Sequence, residues 1–421
     1  MRLLRAPRGR RHFSVLLLVA AVLAVALLVV GGQRAGPAYG ATGLSAGERM
    51  SFTLAAHDLP DWRPLPAPTI TSPAAVLISA STGKVLFERN AQTRRPMAST
   101  TKIMTAVLVL ENLDLSAQVM VSAKAAATPE PSPLLRTGDI LTVEQLLYLL
   151  LLRSSNAAAA ALAEACAGDV EAFVEQMNAK ARELGLVDTH FVNPHGLDAA
   201  GHYSTALDMA RLARYAMANQ TFRRIVATKQ YTIQLPGRSK PTVITSTNKL
   251  LAMADWVDGI KTGLTPKAEQ CLVGSGTKDG VSVISVVLGQ PVPEVCWQES
   301  RALLEYGLSL YRRLTLVSQG AVVAEAEVPY VLDGRVELVA DKTVGVELYK
   351  DDSVTCLVEV DRPLSLPVEA GEVFGRVTLT SGEGTTQTAS LVAAQSFGRV
   401  TLGAKLVYYW SRLGRWLGKH F

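Results

Sequence analysis

The chain of 421 residues is long enough for more than one domain and for a substantial core. Its 48% hydrophobic and 19% charged residues exclude a long disordered chain. The net charge of +5 falls to −1 without residues 1–40, which contain six arginines and no acidic residue. The body of the protein therefore lacks the positive charge expected for a nucleic-acid partner.

The first forty residues have the layout of an export signal. A basic stretch precedes an apolar run over residues 13–30, and a small-x-small site, Ala38-Tyr39-Gly40, follows. The apolar run is at the lower limit for spanning a bilayer. Residues 1–40 are therefore either a cleaved signal peptide or a retained anchor, and the small-x-small site favours cleavage. Both alternatives predict that the body of the protein is exported to the outer face of the cytoplasmic membrane.

Residues 41–73 are predicted to form a proline-rich linker, because five prolines fall between positions 60 and 73. A hairpin is expected around Gly83, followed by helices and a late strand. The helices are predicted over residues 97–113, 143–167 with a break at 153–156, 171–184 and 206–218, and the strand over residues 281–288. Helices between an early hairpin and late strands indicate an α+β domain over residues 74–313.

The pattern changes after Arg313. Apolar residues alternate with others between positions 336 and 360, and turn signals separate the short runs. This predicts a small all-β sandwich over residues 314–393. Residues 394–421 place an apolar stripe with basic flanks on one helical face, formed by Leu402, Leu406, Tyr409, Leu413, Trp416 and Leu417. We expect an amphipathic helix in the membrane interface, although a helix packed on the sandwich would show the same pattern.

Ser99 and Lys102 are the candidate nucleophile and base. The chain contains four Ser-x-x-Lys pairs where composition predicts about one, so the spacing alone identifies nothing. Only Ser99 stands at the start of a strongly apolar helix, where Lys102 returns to the same face one turn later. The positive end of that helix would also favour a developing oxyanion.

Two further motifs follow in order, Ser154-Ser155-Asn156 and Lys261-Thr262-Gly263. The first is weak by itself, because Ser246-Thr247-Asn248 has the same form, whereas the second occurs once. The three motifs together are the combination typical of class A β-lactamases and penicillin-binding proteins.

Three longer stretches carry a closer resemblance. They are Arg-Pro-Met-Ala-Ser-Thr-Thr-Lys-Ile-Met-Thr-Ala at 95–106, Asn-Pro-His-Gly-Leu-Asp at 193–198 and Asp-Gly-Ile-Lys-Thr-Gly at 258–263. With them the chain resembles the low-molecular-mass penicillin-binding proteins that are serine-type D-alanyl-D-alanine carboxypeptidases, over roughly residues 70–395. The resemblance implies a β-lactamase/transpeptidase-like domain with an antiparallel sheet flanked by helices, then a β-sandwich and often a terminal amphipathic anchor.

The resemblance also implies a mechanism of covalent catalysis. Ser99 would attack the carbonyl between the two terminal D-alanines of a peptidoglycan stem peptide, and Lys102 would take its proton. Ser154 would relay a proton to the leaving D-alanine, and Asn156 would hold the acyl-side amide. β-Lactams resemble this end of the peptide, so they should acylate Ser99.

Substrate binding is assigned by the same resemblance. Lys261 and Thr262 would bind the terminal carboxylate next to Gly263, and the Lys261 cation would lower the pKa of Lys102. The backbone N–H groups of Ser99 and Leu264 would form the oxyanion hole.

A few positions depart from the family pattern. Cys296 stands where some relatives place an arginine near the substrate carboxylate, which leaves that contact to Thr262 or to another arginine such as Arg301. Cys271 is either a reactive thiol near the site or a small buried hydrophobic residue. No metal or other cofactor is predicted, because His190, His195 and His202 lack the spacing of a zinc pair.

Two alternative functions stay open. A β-lactamase would use the same acylation residues, but no Glu-x-x-Leu-Asn segment follows Asn156 to direct water for fast deacylation. A non-catalytic wall-binding protein would not need three intact motifs.

Overall fold

The computed structural model describes residues 49–59, 62–331, 334–361, 363–382 and 384–420. The predicted export segment, residues 1–40, lies outside the described residues. The chain divides into two compact units, Pro64–Leu310 and a second unit in which Tyr311 and the residues after it join the described residues up to Arg63. No helix among the described residues is long and apolar enough to cross a membrane.

The described chain mixes strands and helices throughout. The strands are β1 Arg49–Ala55, β2 Ala74–Ser79, β3 Val85–Arg89, β4 Gln118–Met120, β5 Ile140–Thr142, β6 Gln230–Ile233, β7 Thr242–Thr245, β8 Val257–Thr265, β9 Glu269–Lys278, β10 Val281–Gln290, β11 Tyr311–Val317, β12 Val322–Glu327, β13 Arg335–Ala340, β14 Val344–Tyr349, β15 Ser353–Val360, β16 Val373–Ser381 and β17 Thr386–Ala393. The α-helices are α1 Lys102–Asn112, α2 Ala123–Ala126, α3 Val143–Leu151, α4 Asn156–Ala167, α5 Val170–Glu183, α6 Ala206–Ala218, α7 Gln220–Val226, α8 Leu250–Met253, α9 Pro293–Ser309 and α10 Leu402–His420.

An antiparallel five-stranded sheet organises the Pro64–Leu310 unit, with the strand order β3-β2-β10-β9-β8. Strands β2 and β10 are buried on both faces, which explains their nearly continuous apolar sequences. Successive side chains of β2 alternate between two cores: Val76 faces the large helical core that includes α1 and α4, whereas Leu77 packs with Leu303 of α9. The predicted α+β arrangement, an antiparallel sheet flanked by helices, is therefore confirmed.

Two local features of this unit position the predicted motifs. A 3-10 turn, Ala98–Thr101, precedes α1 and is called the Ser99 turn below. The expected break in the second helical stretch is present, because α3 ends at Leu151 and α4 begins at Asn156. Ser155 caps α4 by accepting a hydrogen bond from the Ala158 N–H at 3.2 Å.

The second unit contains a six-stranded antiparallel sheet, in the order β1-β15-β16-β17-β13-β12, and the two-stranded ribbon β11-β14. Alternate residues of the ribbon and of the sheet enter one shared core, in which Val346 of β14 packs with Leu338 and Val377. The alternating pattern after Arg313 thus predicted the strand character of this segment, and the core lies between the ribbon and the sheet.

The linker predicted over residues 41–73 is wrong for part of its length. Residues Arg49–Ala55 form β1, which pairs antiparallel with β15 over seven residues, from Arg49 opposite Glu359 to Ala55 opposite Ser353. The prolines begin only at position 60, and before them Met50, Phe52 and Leu54 alternate with other residues and pack against the sandwich core. The strand period was present in this segment and was missed.

The predicted amphipathic helix is α10. Its apolar side chains are exposed, among them Trp410 at 72% and Trp416 at 55%. Two side chains of α10 contact Tyr330 of the sandwich. The ring of Tyr408 lies edge-on to the Tyr330 ring, and Lys405 Nζ lies 4.7 Å from the centre of the Tyr330 ring. Most side chains of the apolar stripe are solvent-exposed, although Tyr409 also lies against the Tyr330 ring.

Candidate active site

The Ser99 turn is held in an unusual conformation by its own residues and by two glycines. Ala98 has a left-handed backbone (φ +48°), which is uncommon for a residue with a side chain and is typical of functional sites. A Cβ on Gly196 (φ +90°) would lie 2.0 Å from the Ala98 carbonyl oxygen, and one on Gly263 would lie 2.9 Å from the Ser99 nitrogen. Only glycine permits such close approach, so these two positions fix the surroundings of Ser99.

Lys102 is fully buried and makes three hydrogen bonds from Nζ. Its partners are Ser99 Oγ at 3.0 Å, Asn156 Oδ1 at 2.7 Å and the His195 carbonyl oxygen at 2.6 Å. Asn156 Oδ1 and the His195 carbonyl are acceptors only, so they take N–H groups of the lysine. A neutral amine would therefore direct its lone pair at the Ser99 hydroxyl, which is the direction needed to accept that proton.

Several effects lower the pKa of Lys102 well below its usual range. Burial is the largest cause, the Lys261 cation lowers the pKa further, and the Glu130 carboxylate opposes both. The sequence argument named only the Lys261 cation, but loss of solvent lowers the pKa of Lys102 more. The amine thus loses its proton at a lower pH than an ordinary lysine.

Asn156 is held on both sides of its amide. Oδ1 accepts from Lys102, and Nδ2 donates to the Pro129 carbonyl oxygen at 2.5 Å. The carbonyl of Pro129 can only accept, which fixes the orientation of the amide. Ser154 lies two residues earlier, partly buried and with a left-handed backbone (φ +64°), in the turn that joins α3 to α4. The structure therefore brings Asn156 into contact with Lys102 and places Ser154 beside it in the chain.

Lys261, Thr262, Gly263 and Leu264 lie on β8, at the edge of the five-stranded sheet. Lys261 is almost fully buried, its Nζ donates to the Thr262 carbonyl oxygen at 2.9 Å, and burial lowers its pKa to about 7. The Thr262 hydroxyl lies 2.8 Å from the Thr247 hydroxyl. The Leu264 side chain is 64% exposed. Within the described chain, no strand pairs with the outer side of β8, so its backbone can receive an extended peptide.

Two histidines, His195 and His202, lie near the Ser99 turn and help to hold it in place. Thr101 Oγ1 lies 2.9 Å from His202 Nε2, and the His195 backbone carbonyl anchors Lys102. Burial lowers the pKa of His195 to about 3 and that of His202 to about 4, so both rings are neutral at pH 7. Among the residues that the structure describes, no group of His, Cys, Asp and Glu side chains is arranged to hold a metal ion.

The two questioned cysteines are both completely buried. Cys271 lies in the helical core, and burial raises the pKa of its thiol to about 12, so it stays protonated and unreactive. Cys296 lies on α9 and faces the core shared with Leu77 of β2, where burial also raises its pKa. Arg301, the suggested substitute for a carboxylate ligand, pairs with Glu305 on α9 at 2.8 Å.

Sequence reasoning missed two contributors to this cluster. Glu130 accepts the Asn156 backbone N–H at 2.6 Å, and Thr247 contacts Thr262. Glu130 lies in a loop without a recognised motif, and Thr247 lies in the Ser246-Thr247-Asn248 stretch that only shares the form of Ser154-Ser155-Asn156. His195, by contrast, belongs to the resembling 193–198 stretch.

The comparisons with known proteins agree with this geometry. A family model described as D-alanyl-D-alanine carboxypeptidase matches residues 63–292. The chain is 32% identical over 330 residues to the D-alanyl-D-alanine carboxypeptidase DacF of Bacillus subtilis, covering 76% of this chain and 84% of that protein. It is 31% identical over 353 residues to DacC of Escherichia coli, covering 80% and 86%.

Solved structures give the same result. The crystal structure of the Streptomyces K15 DD-transpeptidase matches with a TM-score of 0.56 at 36% identity, over 58% of this chain and 100% of that one. The D-alanyl-D-alanine carboxypeptidase DacD of Francisella tularensis matches with a TM-score of 0.57 at 27% identity, over 80% of this chain and 96% of that one. The chain therefore belongs to the D-alanyl-D-alanine carboxypeptidase family and is a serine-type hydrolase of that family.

Proposed function

We propose that this carboxypeptidase removes the terminal D-alanine from peptidoglycan stem pentapeptides through an acyl-enzyme on Ser99. The observation that carries the proposal is the contact of a buried Lys102 Nζ with Ser99 Oγ at 3.0 Å. A neutral amine in that position can act as the general base, because burial and Lys261 lower its proton affinity.

In the acylation step, Ser99 Oγ attacks the carbonyl carbon of the penultimate D-alanine while its proton moves to Lys102. The backbone N–H groups of Ser99 and Leu264 would donate to the resulting oxyanion. The close approach of Gly263 to the Ser99 nitrogen supports this pairing, because it keeps the two N–H groups near one another. The C–N bond then breaks, and Ser154 passes a proton to the departing amino group.

For substrate binding, we assign the terminal carboxylate to Lys261 and to Thr262, whose hydroxyl is positioned by Thr247. The outer edge of β8 would pair with the extended peptide backbone. Asn156 then has two tasks: its Oδ1 holds Lys102, and the second N–H of its Nδ2 remains for the acyl-side amide of the substrate.

Deacylation completes the reaction when water attacks the acyl-enzyme ester, which regenerates Ser99. β-Lactams should acylate the same oxygen and leave slowly, because they resemble the acyl-D-Ala-D-Ala end of the peptide. An amine in place of water would give a cross-linked product instead of a free acid.

The test incubates the enzyme with a stem pentapeptide and measures free D-alanine and cross-linked product, in parallel with labelling by a fluorescent penicillin. We expect D-alanine release and one labelled serine in the wild type, and neither in Ser99→Ala. Ser81→Ala is the matched control, since that serine also begins a Ser-x-x-Lys pair but lies exposed in the β2–β3 turn. Equal labelling of Ser99→Ala and wild type would refute the assignment, and so would an absence of free D-alanine.

We further propose that residues 1–40 direct export and that α10 holds the enzyme at the outer face of the cytoplasmic membrane. Trp416 of the apolar stripe and the neighbouring Trp410 are both exposed, and the basic residues Lys405, Arg412 and Arg415 lie on the same helix. Tryptophan with flanking lysine and arginine suits a helix that lies in the interface of an anionic bilayer. The proposed catalytic residues all lie in the Pro64–Leu310 unit.

A further inference from the structure

Glu130 has a carboxylate whose two oxygens are used very unequally. It lies in the segment between α2 and β5. Its Oε2 accepts hydrogen bonds from the Asn156 N–H at 2.6 Å, the Ser155 hydroxyl at 2.9 Å and the Ala157 N–H at 3.3 Å. Its Oε1 is buried and has no hydrogen-bond partner among the described residues. An unpartnered buried carboxylate oxygen is costly, so a need for its charge is the natural explanation.

Capping of α4 does not require this charge. Ser155 already accepts the Ala158 N–H as the cap residue, and a neutral acceptor would serve the remaining N–H groups at a helix start. The carboxylate instead binds the backbone of Asn156, the residue whose side chain holds the Lys102 amine. Asn156 links the two directly, since its backbone N–H binds Glu130 and its side-chain Oδ1 binds Lys102.

The charges around Lys102 are unbalanced without Glu130. Lys261 faces the amine from β8 and repels a proton on it, and burial works in the same direction. His195 of the 193–198 loop and the nearby His202 are both neutral at pH 7. Ser99 and Asn156 contribute only neutral polar atoms. Among the described groups that act on Lys102, the Glu130 carboxylate is the one negative charge.

We propose that Glu130 is a positioning residue, which fixes Asn156 through its hydrogen bonds and keeps Lys102 basic enough, through its negative charge, to accept the Ser99 proton. A base whose proton affinity is too low transfers protons poorly, so an opposing charge is needed in such a buried site. The inference rests on the proposed role of Lys102 as the base for Ser99.

The test compares the pH dependence of acylation by a fluorescent penicillin in the full-length wild type, Glu130→Gln and Glu130→Asp. Glutamine keeps an oxygen acceptor but removes the charge, whereas aspartate keeps the charge. In Glu130→Gln we expect the acid limb of the rate profile to move to lower pH by about one unit. The plateau rate should fall roughly 3- to 10-fold, because the base is weaker. Glu130→Asp should keep the wild-type limb.

Glu171→Gln provides the control, because Glu171 is another glutamate near a helix start, in the first turn of α5, but it pairs on the surface with Lys124. Its acid limb should not move. An unshifted limb in folded Glu130→Gln would overturn the charge role and leave Glu130 as a structural cap. A shift of the acid limb in Glu130→Asp equal to that expected for Glu130→Gln would overturn the charge role as well. If one of the two variants does not fold, the other still tests the proposal. If the wild type is not labelled at Ser99, the proposed mechanism fails rather than this inference alone.

Discussion

Gly263 lies where β8 approaches the Ser99 turn most closely, and replacing it with alanine should separate the two. The new Cβ would lie 2.9 Å from Ala98 Cβ, 2.9 Å from the Ser99 nitrogen and 3.1 Å from the Met97 carbonyl oxygen. Carbon atoms prefer separations of about 3.5–4.0 Å, so the strand and the turn must move apart by roughly 0.6–1 Å. All three contacted atoms are backbone or Cβ atoms, which cannot rotate away.

A displacement of this size acts on catalysis more than on stability. It would move the proposed oxyanion donor of Leu264 away from Ser99, and a misplacement of about 1 Å can lower a rate by about 100-fold. The strain of overpacking should lower the free energy of unfolding by about 1–3 kcal/mol. We therefore expect Gly263→Ala to fold and to lose about 100-fold in the second-order rate constant of acylation by penicillin, measured by stopped-flow or gel-based labelling.

Gly274→Ala is the matched control in the neighbouring strand β9. Its Cβ would meet Ser300 Oγ at 2.9 Å and Ser285 Oγ at 3.0 Å, a similar degree of crowding next to α9 rather than next to Ser99. It should be destabilised no more than Gly263→Ala, because the serine hydroxyls can rotate, and it should acylate nearly as fast as wild type. The reasoning is refuted if folded Gly263→Ala acylates at the wild-type rate, or if Gly274→Ala loses as much activity.

Three further predictions address other parts of the molecule. The kcat/KM for an acyl-D-Ala-D-Ala peptide should rise with pH as Lys102 loses its proton, and it should fall above about pH 7 as Lys261 loses its proton. Lys261→Arg should abolish the fall, because arginine stays charged. A fall that persists in Lys261→Arg would contradict this. Glu299→Ala should lower the free energy of unfolding at pH 7 by about 2–3 kcal/mol, measured by denaturant titration, because its buried carboxylate accepts hydrogen bonds from the segment at Thr71. Replacing Trp410 and Trp416 together by serine should weaken cosedimentation with phosphatidylglycerol vesicles without changing D-alanine release, and undiminished binding would count against α10 as the anchor.

The Glu299 effect should depend on pH with a defined sign. Burial tends to raise the pKa of Glu299, but hydrogen bonds from Ser72 and Thr71 outweigh it and hold the pKa below its usual value. The native state thus favours the ionised form, and its contribution is present above the unfolded pKa. The difference between wild type and Glu299→Ala should shrink as the pH falls through the folded pKa. A difference that is constant down to strongly acidic pH would contradict this account.

Much of the fold was predictable because its signals are local. The break between α3 and α4, helix α6 at Ala206–Ala218 and the strand character after Arg313 all follow from apolar periodicity. Strand β1 was missed although Met50, Phe52 and Leu54 show the same period, because the prolines that follow suggested a linker. The strand forms only by pairing with β15, about 300 residues later in the chain, and local sequence does not reveal such a partner.

The sequence alone determined which side chains could perform the chemistry. Ser99 and Lys102 are one helical turn apart, so their proximity needs no tertiary contact. Only the tertiary structure supports the proposed role of Lys102 as a base. Its pKa depends on burial and on partners as distant in sequence as Asn156 and His195, which lie 54 and 93 residues away. Burial and the sum of neighbouring charges arise from packing, and packing brings together segments that no local pattern connects.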